Sequence, residues 1–107
     1  MTVLTEDVRR MKGSPREIGS NEDREWVINV PTDWGIPATP ATMEVFDAND
    51  NIITAASGGA PTISDQEITF NLIGTALRLG YVYKVRITFD LDDGQTRSVI
   101  GEWRVKL

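Results

Sequence analysis

A chain of 107 residues with 40 % apolar content has enough hydrophobic material for one core and not for two. It contains no cysteine and no histidine, which removes disulfide frameworks, thiolate nucleophiles, imidazole acid–base chemistry and the usual zinc ligand sets. A net charge of -5 argues against a nucleic-acid surface, which needs a basic stripe.

The charge is uneven along the chain. The first 24 residues set Arg9, Arg10, Lys12, Arg16 and Arg24 against Glu6, Asp7, Glu17, Glu22 and Asp23, so the acidic excess lies downstream. Residues 1–23 have little apolar periodicity and carry Gly13, Ser14, Pro15, Gly19 and Ser20. They are predicted to form a polar arm, disordered in the isolated monomer because little burial is available to offset the entropy of ordering it. Within the arm, Thr5 and Val8 offer the cap and first turn of a short helix over Thr5–Met11, marginal on its own. No signal-peptide core and no apolar run of membrane-spanning length is visible, so the expectation is a soluble protein made in the cytoplasm, without a membrane partner.

From residue 24 to 107 the chain reads as short strands divided by turn signals every eight to twelve residues, the spacing of a sandwich. Glu25–Val30 alternates Trp26, Ile28 and Val30 with Val27 and Asn29, and Pro31 ends it by removing a ladder donor. After the loop T-D-W-G-I-P-A-T-P, Thr42–Phe46 and Asn51–Ala55 are expected to form a hairpin around Asp47–Asp50, and Gly58, Gly59 and Pro61 mark a loop. Glu67–Leu72 places Ile68, Phe70 and Leu72 on one face, and G-T-A-L-R-L-G crosses to the next layer. Tyr81, Tyr83, Val85, Ile87, Phe89 and Leu91 then alternate with Val82, Lys84, Arg86, Thr88 and Asp90 in a long strand with one wet face. Arg97–Lys106 is the last strand.

The final hairpin can be set in register from sequence. A three-residue loop Asp92-Asp93-Gly94, with Gly94 left-handed, pairs Ile87 with Val99, Val85 with Gly101 and Tyr83 with Trp103, keeping apolar partners on one face. Lys84 then opposes Glu102 on the other face. A two-residue loop sets Val85 against Glu102 and mixes the faces.

Chemistry-bearing groups are few. The acid pairs Asp47/Asp50 and Asp92/Asp93 fall in predicted turns, where aspartate bonds its own backbone. D-A-N-D-N lacks the glycine and distal glutamate of a calcium loop, and Gly58-Gly59 lacks the lysine and helix of a phosphate loop. No catalytic residue, cofactor, metal or small-molecule substrate is expected. Three features remain as interaction candidates. Trp34 is read first as a plug at one end of the core and second as an exposed partner anchor. Lys84, Arg86, Arg104 and Lys106 share an outer sheet face, read first as a solvated surface. Arg9, Arg10 and Lys12 of the arm, with Trp34 in its second reading, make up the candidate partner-binding set, and Tyr83, Trp26, Trp103 and Gly94 the structural one.

The lead-in L-x-L-G-x-x-Y-x-V-x-I resembles the corner before strand F of immunoglobulin-like and fibronectin-type-III sandwiches, where a tyrosine hydroxyl, here that of Tyr83, bonds back to upstream backbone. The fold class expected is therefore all-β, a single immunoglobulin-like antiparallel sandwich of about seven strands with a flexible N-terminal arm. M-T-V-L-T-E-D, P-A-T-P-A-T-M-E-V-F-D, G-x-V-Y-K-V-R-I-T-F-D-x-x-D-G-x-T and the terminal W-R-V-K-L are similar to small immunoglobulin-like proteins encoded among phage tail and tail-fibre genes, mainly over residues 25–107. That resemblance implies a non-enzymatic virion component, made in the host cytoplasm, that joins other protein subunits, including further copies of itself. The alternative is a bacterial binding module for carbohydrate or a cell-surface ligand, which would display its tryptophans in an exposed row.

Overall fold

The computed structural model describes residues 6–10, as backbone, and residues 16–106; its eight strands form two stacked sheets. The strands are β1 (Glu6–Arg10), β2 (Arg16–Gly19), β3 (Asp23–Asn29), β4 (Pro37–Phe46), β5 (Thr62–Ser64), β6 (Glu67–Ile73), β7 (Val82–Leu91) and β8 (Thr96–Lys106). One sheet runs β1-β8-β7-β4, with β2 also on β8, and the other runs β3-β6-β5. This is an all-β sandwich of two stacked sheets. Period-two patterning explains the layering: Tyr83, Val85, Ile87, Phe89 and Leu91 of β7 are buried while Lys84 between them is exposed, and β6 buries Ile68, Phe70 and Leu72.

Trp103 sits at the centre of the core, with none of its surface exposed. Its indole meets Phe70 of the opposite sheet edge-on at 5.9 Å and Trp26 at 5.4 Å, joining the two layers through offset aromatic contacts. The β7–β8 ladder has the register read from sequence, with Tyr83 opposite Trp103, Val85 opposite Gly101 and Ile87 opposite Val99. The loop closes through Gly94 at φ 88°. Leu91 N–H donates to Gln95 O and Gly94 N–H to Leu91 O.

The N-terminal segment departs from expectation. Instead of a short helix, Glu6–Arg10 is strand, parallel to Thr96–Ile100 of β8, and Arg16–Gly19 runs parallel to Trp103–Lys106. The larger sheet is therefore mixed rather than purely antiparallel. Backbone pairing along the edge of β8 writes no period into hydropathy. The segment's main apolar contribution among the described residues is Ile18, completely buried between the layers. A turn then carries the chain to the other sheet: Gly19 N–H donates to Glu22 Oε1 and Glu22 N–H to Gly19 O, while Glu22 O accepts Gly74 N–H at 2.9 Å. Gly74 is required here, since a Cβ would overlap the carbonyl oxygens of Gly19 and Glu22.

The middle of the chain holds a second correction. After Phe46 the expected strand Asn51–Ala55 shrinks to a bridge, Phe46 to Ile52, followed by a 3-10 turn at Thr54–Ala56 that buries Ala56. The partner of β6 is the three-residue β5, reached by a two-residue turn at Asp65-Gln66 with Asp65 at φ 51°. β4 extends further back than its expected start, with a register shift between Ala38 and Ala41 that takes up Pro40.

Candidate interaction surfaces

The outer face of the larger sheet carries the charged rungs anticipated from β7 and β8, and its charges answer one another. Arg86 Nε and Nη2 both donate to Glu44 Oε1, at 3.2 and 3.0 Å, with the guanidinium also over Phe46. Lys84 reaches Asp50 at 3.3 Å and Lys106 reaches Glu17 at 3.5 Å. Thr88 and Ser98 hydroxyls bond at 3.0 Å, and Thr96 donates to Asp90. A hollow of about 280 Å³ lies between Phe46, Asp50, Lys84, Arg86 and Ile100. With both its cations neutralised, this hollow offers no anion site, and the face is a solvated surface of exposed pairs, each worth no more than ~1 kcal/mol.

The aspartates of the turns are occupied by backbone. Asp47 Oδ1 accepts the N–H groups of Asn49 and Asn51 at 2.9 Å, and Oδ2 accepts Asn51 Nδ2. The Asn51 backbone bond is the main cause that holds the Asp47 carboxyl below its ordinary range. Asp92 Oδ1 accepts Ile36 N–H and Asp93 Oδ1 accepts Gln95 N–H. Among the described residues, no group of three or more acidic side chains is placed to hold a metal ion.

The three tryptophans do not form an exposed row. Trp34 is buried in a 3-10 turn at Thr32–Trp34, stacked on Phe89 at 6.4 Å with the Arg97 guanidinium 4.9 Å over its ring. It plugs the core and is no surface anchor. Trp103 is in the centre and Trp26 is half-buried, with Arg24 4.7 Å from its ring centre and Arg16 over both indoles. Neither Trp26 Nε1 nor Trp103 Nε1 has an acceptor among the described residues. Arg9 and Arg10 occupy β1 opposite Val99 and Ile100, and Lys12 lies outside the described residues.

What is exposed and apolar lies elsewhere. Leu79 (51 %) and Tyr81 (55 %) stand in the turn before β7, beside the end of β8, where Gly80 N–H donates to Val105 O and Val105 N–H to Tyr81 O. Alternation assigned Tyr81 to the buried face, but the strand starts one residue later and the ring points out. At the opposite pole Ile36 (54 %) sits against the β7–β8 loop, its carbonyl accepting Asp92 N–H. Val27 (48 %) lies on the outer face of β3. No helix among the described residues is long and apolar enough to cross a membrane. No protein-family model and no curated protein matches the chain.

Proposed function

We propose that this protein is a non-enzymatic adaptor that joins other protein subunits, as a tail or fibre component of a phage particle. The observation that carries this reading is the placement of uncovered apolar groups at both poles of one sandwich, Leu79 and Tyr81 at one and Ile36 at the other. β7, whose ten residues span roughly 30 Å, separates them. Exposed apolar side chains at a contact point favour protein association, and a two-layer core between them forms a stiff spacer. On the outer sheet face Lys84, Arg86 and Lys106 are paired with acids, and Asp47, Asp92 and Asp93 are held by turn backbone. The resemblance to tail-gene sandwiches supplies the virion setting.

The test is mass spectrometry of purified particles from the encoding host after induction, followed by antibody labelling in electron micrographs. The reading expects the chain in particles and the label on the tail or fibre; recovery only in the particle-free lysate would end it.

A further inference from the structure

Every sheet edge of the sandwich except β3 is interrupted by proline or a register shift, or is built of short strands, each of which discourages pairing. β4 holds Pro37, Pro40 and a register shift. β5 is three residues long and follows Pro61. β1 and β2 are short, and between them β8 advances only from Ile100 to Trp103. β3 differs: seven residues without proline, glycine or register shift, paired to β6 on one side, with no described strand on the other.

The outward-facing groups of that edge are identifiable. Val30 N–H donates to Gln66 O at 2.7 Å, on the β6 side. Alternation along the strand therefore points the amides of Trp26 and Ile28 at β6 and those of Glu25, Val27 and Asn29 away from it. The side chains at this edge are incompletely covered too: Trp26 and Ile28 face inward yet are only half-buried, and Val27 is 48 % exposed.

We propose that β3 pairs antiparallel with β3 of a second copy, with Val27 on the two-fold axis, making a continuous six-stranded sheet. The pairing is self-complementary in this register. Val27 meets its symmetry mate, Trp26 meets Ile28 twice, and Glu25 meets Asn29, so apolar groups cover apolar groups and no like charges oppose. An axis through Glu25 sets two carboxylates face to face. An axis through Trp26 puts Glu25 against Val27, and any slip by one residue turns inward side chains outward. This inference rests on the edge itself and is independent of the virion reading.

The experiment uses the full chain, whose lack of cysteine makes an introduced thiol unique. Opposed residues in such a pair lie about 5.5 Å apart at Cα, within disulfide reach. Glu25 and its own mate would be about 14 Å apart, beyond it. Sedimentation analysis is expected to show dimers of the natural chain. Val27→Lys is expected to weaken dimerisation by at least about tenfold while leaving the thermal transition of the monomer in place. Val27→Cys should form a covalent dimer under mild oxidation and Glu25→Cys should not. A natural chain that stays monomeric at submillimolar concentration, or Glu25→Cys cross-linking as readily as Val27→Cys, would overturn the proposal.

Discussion

The hydroxyl of Tyr83 accepts the backbone N–H of Arg78 at 3.0 Å, five residues upstream, so the turn from the small sheet to the large one is fastened by a side chain of the strand it leads into. Tyr83 is itself 6 % exposed and lies opposite Trp103 in the ladder. Tyr83→Phe keeps the ring and leaves the Arg78 donor without this partner. The expected cost is about 1 kcal/mol, read as a lower denaturant midpoint at unchanged slope.

Ile18 has no exposed surface although it belongs to a polar segment. Ile18→Ala is expected to cost roughly 2–5 kcal/mol, as for other buried aliphatic truncations. Deleting residues 1–22 should lower the thermal midpoint markedly, since it removes this side chain and the strands that pair with β8. An unchanged melting curve in the truncated protein would show that β2 contributes nothing to the core.

Gly74→Ala forces a methyl against the carbonyl oxygens of Gly19 and Glu22. The expected loss is about 1–3 kcal/mol. Hydrogen exchange should show faster exchange at the Gly74 amide, which Glu22 O accepts. Equal exchange in the variant would mean that the turn adjusts without loosening.

Asp47 has a carboxyl held below its ordinary value of 3.8, chiefly by the Asn51 N–H. Because the folded pKa is depressed, its stabilising effect is complete above the unfolded value and fades as pH falls through the folded one. An NMR titration of the Asp47 carboxyl carbon is expected to give a midpoint below 3.8, and Asn51→Ala should raise it by removing the Nδ2 donor. A midpoint at or above the ordinary value would contradict the turn geometry.

The strands that bury alternate residues were legible in advance, because burial on one face writes period two into β6, β7 and β8. The last hairpin was legible to the level of individual pairs, since Gly94 restricts the loop and a wrong register places Glu102 in the core. The N-terminal strands were not, because backbone pairing along an edge leaves little trace in hydropathy, and Ile18 is the single apolar residue of β2. β5 was missed for a similar reason: three residues, of which Thr62 and Ser64 are exposed, carry no readable period. The interaction surfaces were the least legible. Trp34 stands in a loop beside Asp33 and Gly35, and only the layering reveals that it is covered, whereas alternation along β3 already sets Val27 on the face opposite Trp26 and Ile28.

The parallel alignment of β1 and β2 with β8 governs how the molecule answers a mechanical load. Glu6 lies beside Thr96, whereas Gly19 lies beside Lys106, so tension applied between Glu6 and Lys106 slides the strands lengthwise instead of peeling them apart. The ladder bonds then bear force together and must rupture together, and a tether built this way yields abruptly at high force where an unzipping one would give way bond by bond.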